Sequence, residues 1–281
     1  MATTAQLRNY TPRGGGPSRP QSNSVLARAS RSPWTYRLIV LAIVGTIWQL
    51  YALSADLLLV PTFVETMTGV VRLVVDPATL GAFVISNQAL VIGFVISVVL
   101  GILLGLGAAR FSGIEGFVDP YLSILLVTPM AALIPILLMS MGIEIWSRIF
   151  LVIVFTIPVV IVNTRAGVRQ VDPNLIEMAT SFGAKEREIW QKILLPGSLP
   201  AIMTGIRLGI GRGVTGMVIV ELLMVAVGIG GLILKFQGSF ASDLLYGVVI
   251  LVILEALFLV STVRFIERKI APWAGGSVLR E

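Results

Sequence analysis

"EMATSFGAKEREIWQKILLPGSLP", residues 177–200, interrupts a chain that is otherwise strongly apolar. It holds six charged side chains (Glu177, Lys185, Glu186, Arg187, Glu188 and Lys192), a single glycine before the last of them, and a Leu-Leu-Pro, all between long hydrophobic runs. Asp172-Pro173, just upstream, is a helix start: Asp serves as N-cap, and Pro takes the first helical position, where its missing N–H costs nothing. From there Leu175, Ile176, Met178, Ala179 and Phe182 share one face, and Glu177, Thr180 and Ser181 the other. Gly183 ends this helix, because glycine adopts the left-handed terminating conformation. A second helix over 185–195 gathers Ile189, Trp190, Ile193 and Leu194 opposite Arg187, Glu188, Gln191 and Lys192, and Glu188 and Lys192 form a favourable i to i+4 pair. Pro196 disfavours its continuation, and Pro200 falls near the first turn of the next segment. The expectation is two short amphipathic helices at about a right angle.

The flanking segments set the environment of this elbow. The chain is 56% hydrophobic and 13% charged, with a mean hydropathy of +0.93, whereas a soluble domain carries about 25% charged residues. Uncharged runs cover 38–55, 77–109, 120–143 and 149–164, and crossing the hydrocarbon takes roughly 20 apolar residues. The run 77–109 is too long for one crossing, which predicts a short helix or loop before a span near 89–109. The run 149–164 is short, so its helix should tilt little or lean on neighbours. Two less clean spans follow, 201–227 with Arg207, Arg212 and Glu221, and 244–265 with Glu255. The reading is an all-α integral membrane protein of six helices. Pro129, Pro135 and Pro158 are expected to kink spans three and four.

Positively charged flanks stay cytoplasmic. With six spans, the side holding both termini collects Arg8, Arg13, Arg19, Arg28, Arg31, Arg37, Arg110, Arg165, Arg169, Lys185, Arg187, Lys192, Arg264, Arg268, Lys269 and Arg280, against Arg72, Arg148 and Lys235 on the other. Both termini and the elbow are therefore expected in the cytoplasm. This bias accounts for the net charge of +6 without nucleic acid. Residues 1–34, rich in Pro, Gly, Ser and Arg, read as a disordered basic tail, and 273–281 as a second short tail.

Inventory excludes several chemistries. The chain has no cysteine and no histidine, which removes disulfides, the usual zinc sites, a thiol nucleophile and a Ser-His-Asp triad. None of its four lysines follows glycine, so no Walker A loop exists. "GRGVTG", 211–216, matches a dinucleotide pattern but lies inside an apolar helix, where small residues serve close helix packing.

The spacing of the elbow is specific. Glu177-Met178-Ala179, three residues, Gly183, nine residues, then Ile193-Leu194-Leu195-Pro196 resembles the EAA motif of permease subunits in binding-protein-dependent ABC importers, with Met178 in place of the first alanine. "VNTRAGVRQVDPNLIEMA" (162–179), "LPAIMTGIRLGIGRG" (199–213) and "FVDPYLSILLVTPMAALIPILLMSMGI" (117–143) are similar to the branch that imports nitrate, bicarbonate, taurine and aliphatic sulfonates. The resemblance covers roughly 35–272 and implies a six-helix type I ABC importer transmembrane domain with a coupling loop at 172–196.

It further implies a multi-pass protein of the bacterial inner membrane with no cofactor and no bond chemistry of its own. Its partners would be a dimeric cytoplasmic ATPase, an extracytoplasmic solute-binding protein and a second permease copy, giving a homodimer in the lipid bilayer. In this family the loop inserts into a groove on the ATPase. Glu177, Met178, Ala179 and Gly183 would shape that contact, and Ile193, Leu195 and Pro196 would tie the loop to span five. Ionisable groups within a membrane mark pathways or pairs, which makes Arg212, Glu221 and Glu255 the candidates for the solute path. The expected cargo is a small oxyanion or sulfonate. The alternatives are an aromatic acid or vitamin precursor, or a secondary transporter, for which the inverted repeats and broken midplane helices are not found in the sequence.

Overall fold

The computed structural model describes residues 33–55, 59–224 and 227–273, and among these all regular structure is helical. Most of the basic tail, all of the C-terminal tail but its first residue, and the short stretches 56–58 and 225–226 lie outside the described residues. Residues 33 and 34, assigned to the tail from sequence, open α1, Pro33–Ala55. That helix exposes Leu38, Ile39, Val40, Leu41, Ile43 and Val44 all round, the pattern of a segment surrounded by lipid rather than water.

Next come α2 (Phe63–Val75) and α3 (Pro77–Arg110). A reciprocal capping box starts α2: Thr62 Oγ1 accepts from the Glu65 amide at 3.2 Å, and Glu65 Oε2 accepts from the Thr62 amide at 2.8 Å. Asp76 caps α3 by accepting from the Thr79 amide and hydroxyl at 3.0 and 2.8 Å. The break expected within 77–109 is absent. α3 runs unbroken for 34 residues, about 50 Å at the α-helical rise. It contains no proline after its first position, and its first turns are held by burial of Thr79, Ala82 and Ser86.

Span three is not one kinked helix but two, α4 (Ser112–Val127) and α5 (Met130–Met141), meeting at 106°. Pro129 forces Thr128 into an extended conformation, φ −65° and ψ 130°, as a residue before proline prefers. Pro135 and Pro158 instead sit inside continuous helices. α6 (Ile145–Arg169) is longer than its uncharged core of 149–164, because Arg148, Arg165 and Arg169 extend it at both ends.

The elbow follows as α7 (Pro173–Ser181) and α8 (Glu186–Ile189), then a π-helical turn at Trp190–Leu194 that runs straight into α9 (Leu195–Met224). The expected stop at Pro196 does not occur. An α-helical proline clashes with the carbonyl four residues back, and the wider π turn, closed by the Leu195 amide on the Trp190 carbonyl, relieves that clash and lets the helix pass through Pro196. The chain closes with α10 (Gly228–Gly238) and α11 (Ser242–Ile270). Among the described residues five helices are long and apolar enough to cross a membrane, six with the α4–α5 pair taken as one.

α6 is sandwiched between α3 and α9 along two stripes of small residues. A Cβ on Gly93 or Gly101 would lie 2.8 Å from Val152 or Val160, and one on Gly205 2.8 Å from Asn163. Gly93, Ser97, Gly101 and Gly105 recur every four residues on α3, as do Gly205, Gly209 and Gly213 on α9. Such rows let helices approach closely where lipid offers no hydrophobic drive. The "GRGVTG" segment belongs to the α9 row, with Gly213 against Thr156 and Gly216 against Phe155.

Candidate functional site

The elbow is built as a rigid hairpin. Gly183 has φ +80°, its amide donates to the Thr180 carbonyl at 2.9 Å, and the Ala184 amide donates to the Ala179 carbonyl at 3.0 Å. These two bonds form a complete Schellman turn. They also explain why the spacing of Ala179 and Gly183 matters: Ala179 and Ala184, across the turn, pack together into the same apolar cluster. On the other side, Glu188 Oε2 accepts from the Lys185 amide at 3.1 Å, and its Oε1 pairs with Lys192 at 3.0 Å.

The apolar face of α7 divides. Ile176 and Ala179 turn inward with Ile189, Leu194 and Trp190 against Val168 of α6 and Leu106 and Ala109 of α3. Leu175, Met178 and Phe182 point away, 45%, 52% and 86% exposed. A face wide enough for all five, over the eight positions from Leu175 to Phe182, does not fit one groove, so the ridge at i, i+3 and i+7 is left unpartnered. Glu177 is exposed beside it. Of the residues expected to anchor the loop, Ile193 and Pro196 are partly buried while Leu195 is exposed. Anchoring falls to Leu194 and Ile189, 4% and 6% exposed, and to the Arg110–Glu186 pair at 2.8 Å.

The intramembrane ionisable residues separate into different surroundings. Glu221 is fully buried and collects donors from three other helices: Ser86 Oγ of α3 at 2.7 Å, the Gly230 amide of α10 at 3.1 Å, and Arg148 of α6 at 3.4 Å. Ser86 Oγ also accepts from the Ile229 amide at 2.9 Å. A carboxylate at the first turn of α10 satisfies amides that a helix start leaves unpaired. Glu255 takes a hydrogen bond from Asn87 Nδ2, one residue along α3, and its Oε2 is buried without a partner among the described residues. Neither glutamate is among the residues lining the cavity at the α4–α5 bend. Sequence reading named both and missed Ser86, Asn87 and Arg148 as their partners, since these lie 135, 168 and 73 residues away.

Arg212 is placed differently. It borders a cavity of about 330 Å³ at the α4–α5 bend, with Thr128, Pro129 and Met130 on one wall and Phe155 and Pro158 of α6 on another. Arg212 is exposed to that space, and the rest of the lining is otherwise apolar apart from Thr128. A lone guanidinium on an apolar wall suits a small anion carrying an apolar part.

A helical membrane domain with a stiff polar hairpin at one end and a cationic cavity between its central helices is a transport permease. The chain belongs to the family of binding-protein-dependent transport system inner membrane components, whose model matches residues 97–274. It is 31% identical over 265 residues, 91% of this chain and 95% of the relative, to SsuC of Bacillus subtilis (strain 168), named for aliphatic sulfonates transport. It is 28% identical over 179 residues, 64% of this chain and 65% of the relative, to the taurine transport system permease protein TauC of Escherichia coli (strain K12). Among solved structures, an amino acid ABC transporter chain with 16% identity matches 69% of this chain and 94% of its own length at a TM-score of 0.58, a likeness of fold.

Proposed function

We propose that this chain is the membrane subunit of an ATP-driven importer of sulfonates, with its solute path along the cavity that Arg212 borders. The observation that carries this reading is mechanical. The hairpin joins α6 through the short turn 170–172 and runs without a break from α8 into α9, and those two helices supply Val154, Phe155, Pro158, Val159, Arg212 and Ile219 to the cavity wall. A force applied to α8 therefore reaches the cavity along α9 without an interruption in the helix.

The exposed ridge of Leu175, Met178 and Phe182, with Glu177 beside it, is the surface offered to a cytoplasmic ATPase. Gly183 and Ala179 hold the ridge in shape. ATP hydrolysis belongs to that partner, and a binding protein delivers solute to the opposite face. Two copies of the chain enclose the path, and both termini lie in the cytoplasm, in accord with the distribution of lysine and arginine. The sulfonate reading draws on the names of the relatives together with the single cation on an apolar wall, which pairs with a sulfonate while its short alkyl part meets Leu125, Leu126 and Phe155.

The test is reconstitution of the chain with its ATPase and binding protein in proteoliposomes. ATP-dependent uptake of ethanesulfonate is expected, and Arg212→Gln should lower its rate at saturating binding protein by roughly tenfold, the scale of one charge-assisted hydrogen bond. Full uptake by the Arg212→Gln variant would remove the cavity from the path. Failure of the chain to copurify with any ATPase would remove the importer reading itself.

A further inference from the structure

A threonine or serine hydroxyl inside an apolar helix has a ready acceptor in the carbonyl four residues back. In this chain Thr66, Ser97, Thr204, Thr215 and Thr262 all use it, at 2.7–3.0 Å. Thr128 does not. Its amide closes α4 on the Ile124 carbonyl at 2.9 Å, but its hydroxyl bonds to none of the described residues, neither back into α4 nor as a cap on α5, whose start at Pro129 has no side-chain cap. That free hydroxyl borders the cavity that Arg212 also borders, and among the described residues no carboxylate, side-chain amide or second hydroxyl stands on its wall. Two donors therefore face one space that offers them no side-chain acceptor.

We infer that Thr128 is the second anion ligand of this cavity, its hydroxyl donating to an oxygen of a small monoanion whose charge Arg212 holds. This rests on the reading of the cavity as the sulfonate path. The bend by itself does not call for threonine. Pro129 keeps the preceding residue extended, and valine, with the same branching at Cβ, takes that conformation as readily and suits an apolar wall better. What threonine adds is one donor. A single guanidinium answers a single negative charge, and a sulfonate, with three oxygens, keeps an acceptor for the hydroxyl after the guanidinium is satisfied. A cation would find no counter-charge on this wall. A wholly apolar solute would leave both donors unpaired, which is costly once water is displaced.

The chain lacks cysteine, so Leu126→Cys, on the cavity wall, gives a single labelling site in the nucleotide-free permease–ATPase complex. Its reaction with a maleimide is followed against rising ethanesulfonate, and the half-protecting concentration reads occupancy of the cavity without the binding protein. Thr128→Val should raise that concentration roughly tenfold, the lower end for a hydrogen bond to a charged group. The labelling rate without anion should stay unchanged, because valine preserves the shape of the wall. Thr128→Ser, which returns the hydroxyl, should restore protection. An unshifted midpoint in Thr128→Val, a serine variant as weak as the valine one, or an anion-free rate that moves along with the midpoint would each overturn the ligand role, and the cavity reading would stand as long as Arg212→Gln weakens protection. Ethanesulfonate that gives no protection even with Thr128 and Arg212 intact would take the anion out of the cavity, overturning the path reading and this inference together.

Discussion

Ser86 Oγ donates to the buried Glu221 carboxylate at 2.7 Å while accepting from the Ile229 amide at 2.9 Å, so one hydroxyl joins α3, α9 and the start of α10. Removing the carboxylate strands Arg148, 11% exposed, and the Gly230 amide. Breaking one side of a buried pair costs about 3–5 kcal/mol, so Glu221→Ala should strongly lower the melting temperature of the detergent-purified protein. Glu221→Gln, which keeps an acceptor for Ser86 and Gly230, should lose less. Equal melting of both variants and the native chain would show that the network contributes nothing to stability.

The hairpin was legible because its signals are local: an Asp-Pro start, a terminating glycine and apolar positions at helical spacing. Its continuation through Pro196 was not, because a π turn is a compromise between the proline ring and the packing of Leu194, and no single-residue preference encodes it. The same holds at 77–109, where length alone suggested a break but burial of Ala82 and Ser86 keeps α3 whole. Arg212 and Glu221 both stood as candidates for the solute path, as charges in an apolar segment. Which one faces a cavity and which is enclosed depends on the register of α9 against α3 and α6, set by glycine rows whose partners are distant in sequence.

Gly183 offers a clean separation of backbone from contact. Nothing lies within 4 Å of a Cβ built there, yet its φ is +80°. Gly183→Asn should therefore assemble with the ATPase, since asparagine tolerates the left-handed region. Gly183→Val, β-branched and strained at positive φ, should disrupt the Schellman turn and prevent copurification. Assembly of both variants to the same extent would show that the turn geometry does not matter for docking.

Orientation can be read by labelling from outside. Thr68 on α2 and Ser239 after α10 are exposed, and cysteines there should react with an impermeant maleimide in intact cells, while Thr180→Cys on α7 reacts only after lysis. These positions avoid Asp76 and Asp243, which make a helix cap and a pair with Arg72. Reaction at position 180 from outside would reverse the orientation and remove the hairpin from the ATPase side.

Asp76 gives a pH signature. The Thr79 hydroxyl and amide, bonding its charged form, hold its carboxyl below the usual carboxylate range. A lowered folded value stabilises the fold above the unfolded pKa, about 3.9, and the contribution fades as pH falls through the folded value. The melting gap between the native chain and Asp76→Ala should thus be full at neutral pH and narrow below about pH 4. A gap independent of pH would mean that the cap acts without its charge.

The α3–α6 interface supplies a paired test within one helix. A Cβ on Gly101 would stand 2.8 Å from Val160, whose side chain is fully buried, whereas nothing lies within 4 Å of one on Gly81. Gly101→Ala must push α3 from α6 or strain Val160, at a cost of about 1–3 kcal/mol, partly offset by the better helix propensity of alanine. Gly81→Ala gains that propensity, up to about 1 kcal/mol, with no clash. Thermal melting in detergent should therefore move in opposite directions for the two substitutions. A melting temperature for Gly101→Ala at or above that of Gly81→Ala would show that the helices are not in close contact along this row.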